Sequence, residues 1–163
     1  MRGQDKVYDV LKELGIGYDY LEHPAAPTIE LAMQYCNHVD STHCKNLFLR
    51  NHKGNQHYLV IFHCERSLAV HELEQRLKQG KLSFASERRM EKYLGLKPGS
   101  VSPFGLLNDT GHHVYVFLDE NLKEARKLSF HPNDNRASLA IRTEDFIRYM
   151  DFTGNGYEWT KLY

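Results

Sequence analysis

Lys45-Asn46-Leu47-Phe48-Leu49-Arg50, Asn51-His52-Lys53-Gly54-Asn55-Gln56 and His57-Tyr58-Leu59-Val60-Ile61-Phe62-His63-Cys64 follow one another mid-chain. Two apolar, β-branched or aromatic runs of strand length flank six polar residues that include a glycine. That pattern predicts a hairpin with a longer loop. An antiparallel pair at the centre of the chain argues against a doubly wound parallel sheet. On the N-terminal side, Val7, Val10, Leu11 and Leu14 lie at i, i+3, i+4 and i+7, predicting a helix over Asp5–Leu14 stopped by Gly15 and Gly17. Tyr18 to His23 reads as a strand ended by Pro24. Thr28 is placed to cap a second helix running to about Cys36, with Glu30 in its first turn.

On the C-terminal side, Val70, Leu73 and Leu77 define a helix with Gly80 beyond its end. Leu82 to Ala85 is a short strand, and Ser86 caps a helix carrying Met90, Tyr93 and Leu94 that Gly95 ends. Lys97 to Gly105 is too rich in proline and glycine to be regular. Val114–Leu118 and Ala137–Ile141 read as strands, Glu120–Ala125 as a helical turn, and Thr143 as the cap of a last helix through Met150. Strands and short helices interleave without regular βαβ spacing. The expected class is α+β: one domain over residues 1–163, with a mixed, largely antiparallel sheet wrapped by helices.

Lys plus Arg (21) balance Asp plus Glu (21), which excludes a strongly basic nucleic-acid wrapper but not a local basic groove. No apolar run reaches the roughly 18 residues of a membrane span, and Met1-Arg2-Gly3-Gln4-Asp5-Lys6 leads into charge without an apolar signal region. Three cysteines, Cys36, Cys44 and Cys64, form no pairing motif and read as buried thiols of a cytoplasmic protein. Cys36, His38, His43 and Cys44 have zinc-ligand chemistry, but their spacing matches no common structural finger, so neither metal nor cofactor is expected. His112-His113 reads as a solvated turn. Phosphate-loop, dinucleotide-binding and Gly-x-Ser-x-Gly patterns are absent.

Three segments carry candidate chemistry. Lys45 opens a strand and brings an ammonium to the sheet rim, where it can hold a phosphate or carboxylate, with Asn46 beside it. In Lys97-Pro98-Gly99-Ser100-Val101-Ser102-Pro103-Phe104-Gly105, two prolines stiffen a loop whose glycines let backbone approach a ligand. In Phe130-His131-Pro132-Asn133-Asp134-Asn135, a histidine sits beside a rigid turn, as a pocket wall or a general acid/base would.

Taken together, the chain from about Asp5 to Met150 resembles the free-standing prolyl-tRNA editing domains, the YbaK-like aminoacyl-tRNA deacylases. The likeness is carried by Glu22-His23-Pro24, Lys45 to Leu49, Leu82 to Ser86, Leu94 to Gly105, Leu107-Asn108-Asp109 and Phe130 to Asn135. Val101 to Gly105 and Phe130 to Asn133 look most like the branch that clears alanine from mischarged tRNA(Pro). The resemblance implies a curved, barrel-like sheet and a hydrolase that cleaves the aminoacyl ester. It implies Lys45, Gly99 and His131 as catalytic residues, with Asn46, Ser100, Val101, Ser102 and Pro103 contacting substrate. His131 is expected to act as a substrate-contacting wall rather than a classical base.

The implied partners are the acceptor end of tRNA(Pro) and, alongside it, a synthetase or elongation factor, and a monomer is expected. Arg88, Arg89, Lys92 and Lys97 are candidates to meet stem phosphates. Deacylation of another small aminoacyl-tRNA (Cys or Ser), or non-catalytic tRNA binding on the same fold, are the alternatives. An aminoacyl ester is already activated, so positioning it beside an ordered water supplies much of the acceleration without a nucleophile or metal.

Overall fold

The structure, a computed structural model, describes residues 1–25 and 41–163. The hairpin forms as its sequence requires. β2 (Thr42–Asn51) and β3 (His57–His63) pair antiparallel, with Leu47 opposite Val60 and Arg50 opposite His57. β3 is buried from His57 through Phe62 because both faces of the sheet are covered there. Leu59 and Ile61 join one apolar cluster, while Tyr58, Val60 and Phe62 join another.

The remaining strands are β1 (Asp19–Glu22), β4 (Leu82–Phe84), β5 (Tyr115–Asp119), β6 (Lys127–Phe130), β7 (Ala137–Arg142) and β8 (Tyr157–Thr160). Their order is β1-β7-β6-β2-β3-β5-β8, with β4 paired to the far end of β2. β1–β7, β6–β7, β2–β3 and β2–β4 are antiparallel. β2–β6, β3–β5 and β5–β8 are parallel. The result is the expected α+β class: a mixed, curved sheet, left open with β1 and β8 at its edges.

α1 (Asp5–Leu14), α3 (Glu87–Leu94), α4 (Thr143–Thr153) and a 3-10 helix (Pro103–Asn108) pack on the face of the first cluster. α2 (Val70–Leu77) covers the second. Gly15 ends α1 at φ 68°, a left-handed geometry that glycine enters without the Cβ clash. Ser86 caps α3, its Oγ accepting from the Arg89 N–H.

Several sequence expectations need correction. α2 ends at Leu77, closed by the left-handed Lys78, with Gly80 beyond it at φ 80°. The segment read as irregular contains the 3-10 helix Pro103–Asn108, started by Ser102 Oγ accepting from Phe104 N–H with proline in the first position. Thr143 does not cap α4; its hydroxyl donates to the Ala125 carbonyl, and Arg142 occupies the cap position without a side-chain bond. β6 and β8 are four-residue strands that no hydrophobic run announced. His113 is half-buried and bonded to His57 rather than solvated. The second helix, with Thr28, Glu30, Cys36 and His38, lies outside the described residues. Cys44 and Cys64 are buried as expected, and burial pushes the Cys44 thiol up.

Candidate active site

The site follows from strand alternation. Cys44, Phe48, Leu128, Phe130, Leu139 and Ile141 all point into the first cluster. Their neighbours on the other side of the pleat are therefore His43 and Lys45 on β2, Ser129 on β6, and Ser138 and Ala140 on β7. His43 lies level with Ser129 across the parallel β2–β6 pair. His131 follows directly after the end of β6, with His23 and His43 among the charges that act on it. The sheet thus carries a polar strip on β2, β6 and β7 beside the apolar area that α2 covers.

His131 is locked by geometry. Its Nδ1 lies 2.7 Å from the Ala137 carbonyl, an atom that can only accept. The proton therefore sits on Nδ1, and Nε2 carries a lone pair. Burial lowers its pKa from the ordinary value, against the opposing effect of the Ala137 bond, and His23 and His43 lower it further. The imidazole is thus held neutral. His23 stands edge-on to it at 6.0 Å between ring centres and is itself fixed by Ser138 Oγ, 3.0 Å from its Nε2.

Lys45 is half-buried, its Nζ donating to the Arg66 carbonyl at 2.9 Å and lying 5.7 Å from the centre of the Phe62 ring. One of three ammonium protons is engaged there, so the group can still donate to a substrate oxygen. Asn46 turns to the opposite face: its Nδ2 donates to the Cys44 carbonyl, and its buried Oδ1 has no partner among the described residues. The structure separates the side chains of Lys45 and Asn46.

The Gly99–Pro103 loop is tied to the His131 turn. Asn133, left-handed at φ 65°, donates from Nδ2 to the Phe104 carbonyl at 3.2 Å and to Gln4 Oε1 at 3.0 Å. The Gln4 backbone N–H in turn donates to the Pro132 carbonyl. Phe104 and Phe130 meet edge to face. Gly99 holds φ 86°, and the Ser100 N–H closes a turn onto the Lys97 carbonyl. Val101 packs against the first cluster. Ser102 is fully buried with its hydroxyl committed to the 3-10 helix, and the Pro103 carbonyl accepts from Tyr149 OH at 2.8 Å. Ser102 and Pro103 shape the loop from behind rather than presenting side chains.

Sequence reasoning missed His23, His43, Ser129 and Ser138 as members of this polar face. The available signal was alternation about Leu128 and Phe130, hidden because the strand is only four residues long. Among the described residues no cluster of His, Cys, Asp or Glu could hold a metal ion.

The sequence model described as an aminoacyl-tRNA editing domain matches residues 23–149. The chain is 40% identical over 163 residues to the prolyl-tRNA editing protein ProX of Acetoanaerobium sticklandii, covering 99% of each. It is 34% identical to the mouse prolyl-tRNA synthetase associated domain-containing protein 1, over 89% of this chain and 88% of that one. Among solved structures, the hypothetical protein APE2540 superposes with a TM-score of 0.72 at 18% identity, covering 95% of this chain and 98% of that one. A structure described as a candidate trans-editing enzyme for prolyl tRNA synthetase gives 0.70 at 22%, covering 96% and 95%. Those two likenesses speak to the fold, which spans the whole sheet from β1 to β8. With the matched segment running from His23 to Tyr149 and so including every residue of the polar strip, the chain belongs to the aminoacyl-tRNA editing domain family.

Proposed function

We propose that this protein is a trans-editing hydrolase that removes alanine from mischarged tRNA(Pro), acting as a single unit over residues 1–163 in the cytoplasm. The observation that carries the reading is the fixed tautomer of His131, whose Nδ1–H donates to the Ala137 carbonyl and leaves a lone pair on Nε2, beside the ring of His23. An aminoacyl ester presents an α-ammonium that can donate to that lone pair. Lys45 opposes the charge that develops on the ester carbonyl oxygen or on the terminal phosphate. Water adds to the carbonyl carbon, the bond to the ribose oxygen breaks, and that oxygen leaves with a proton. The adjacent ribose hydroxyl is placed by the chemistry of the substrate to assist. Gly99 and Ser100 supply backbone groups to orient the water; no cofactor is needed.

Alanine is the substrate a proline-charging enzyme has most difficulty refusing, because each missing methylene is worth only about 1–3 kcal/mol. A small stiff pocket that excludes the proline ring by overlap supplies the missing discrimination. The Gly99–Pro103 loop, clamped by Asn133 and Tyr149, has that stiffness. The test is a deacylation panel of Ala-, Pro-, Cys- and Ser-tRNA with wild-type protein and Lys45→Ala. Selective loss of Ala-tRNA(Pro), abolished in the variant, is expected. Faster hydrolysis of Cys- or Ser-tRNA would move the reading to those substrates, and full activity of Lys45→Ala would remove the lysine from the mechanism.

A further inference from the structure

A second cluster lies at the hairpin end of β2, on the opposite face from Lys45 and five residues further along, about 17 Å at the rise of an extended strand. Arg50 and Arg89 converge there on Gly54. A Cβ built on that glycine would stand 2.7 Å from Nη2 of Arg50 and 2.9 Å from Nη2 of Arg89, so the two guanidinium groups face each other across it. Lys92, three residues after Arg89 on α3, adds a third cation, its Nζ 5.2 Å from the centre of the Tyr93 ring.

Among the described residues, none of the three is within ion-pair distance of a carboxylate. They are held by neutral groups instead. Arg50 donates to the Asn51 and His52 carbonyls. Arg89 donates to the Gly54 carbonyl at 2.9 Å and to Nε2 of His57 at 3.0 Å. His57 is fully buried and, with Nε2 accepting, carries its proton on Nδ1, 2.8 Å from Nε2 of His113. Its neutrality fits the company of three cations. Nη1 of Arg50 and Nε and Nη2 of Arg89 keep no hydrogen-bond partner among the described residues.

Like charges gathered without a counter-ion repel, and the repulsion is relieved when an anion enters. Two guanidinium forks plus an ammonium suit phosphate oxygens. We infer that Arg50, Arg89 and Lys92 form a phosphate-binding site that grips the backbone of the tRNA acceptor arm, apart from the ester-cleaving face. This rests on the editing function proposed above, and it assigns the grip to this cluster rather than to the whole charged run around Arg88.

The test uses an uncharged, fluorescently labelled acceptor-stem minihelix, so its outcome does not depend on whether any ester is cleaved. Binding is followed across roughly 50–200 mM salt for wild type, Arg50→Gln, Arg89→Gln and Lys92→Gln, with Arg76→Gln on α2 as a control. Each cluster variant is expected to bind several-fold more weakly at low salt and to flatten the salt slope by up to about 0.9 per lost phosphate contact. Arg76→Gln changes neither. Lys92 makes no hydrogen bond, so Lys92→Gln decides the matter if the arginine variants fold poorly. Unchanged slopes in Lys92→Gln and Arg89→Gln would overturn the site. Inorganic phosphate binding as tightly as the minihelix would overturn its assignment to RNA.

Discussion

His131 is built to accept rather than to donate. Its Nδ1–H is spent on Ala137, and burial keeps the ring neutral. Deacylation should therefore persist as pH falls through 6.5, where an ordinary histidine would be half protonated, and decline only below it, after subtraction of spontaneous ester hydrolysis. His131→Ala should lower kcat/KM on Ala-tRNA(Pro) roughly ten- to a hundredfold, the loss expected for a hydrogen bond to a charged group. An unchanged rate and an unchanged Ala-to-Pro ratio would remove it from the pocket. His57 makes a separate prediction about stability. Burial, then His113 and the neighbouring cations, lowers its pKa from 6.5 to about 4. The unfolded chain therefore takes up that proton first, so stability is full above pH 6.5 and is lost between 6.5 and about 4. The loss should reach up to about 3 kcal/mol in urea titrations, and His57→Gln should flatten that part of the profile.

At the scale of elements, the Gly99–Pro103 loop and the His131 turn form one unit joined by Asn133 and the N-terminal Gln4. Asn133→Ala removes two hydrogen bonds and places alanine at φ 65°, so it should cost about 1–3 kcal/mol and lower activity by loosening the loop. Urea melts and kcat/KM measured together would check it; a stable variant with normal kinetics would show that the tie is dispensable. The sequence made the hairpin, α1 and α3 legible, because hydrophobic period and caps agree at Val7–Leu14, Ser86 and Gly95. Lys45, Gly99 and His131 were singled out as residue types beside rigid backbone. The parallel pairing of β6 with β2, which joins Leu128–Ser129 to Thr42–His43, leaves no local trace and was not legible. The same non-locality hid His23 and Ser138, and the Arg50–Arg89 pairing across Gly54.

For the whole molecule, β8 forms one edge of the sheet by lying parallel to β5, with Trp159 packed on the first cluster and the nearby Leu162 fully buried in the second. Deleting residues 154–163 should expose the β5 edge and both cluster margins, lowering the melting temperature by at least several degrees and promoting association. A truncated protein that melts unchanged would contradict that role. A net charge of zero is compatible with this architecture because cations are concentrated rather than numerous: Lys45 on one face of β2 and the Arg50–Arg89–Lys92 cluster on the other. The most direct test of the whole account is the first-order hydrolysis of Ala-tRNA(Pro) beside Pro-tRNA(Pro), with wild-type protein and with Lys45→Ala. The account predicts rapid loss of alanine, little loss of proline, and near-spontaneous rates for both in the variant. Equal cleavage of the two esters, or an undiminished Lys45→Ala enzyme, would contradict it.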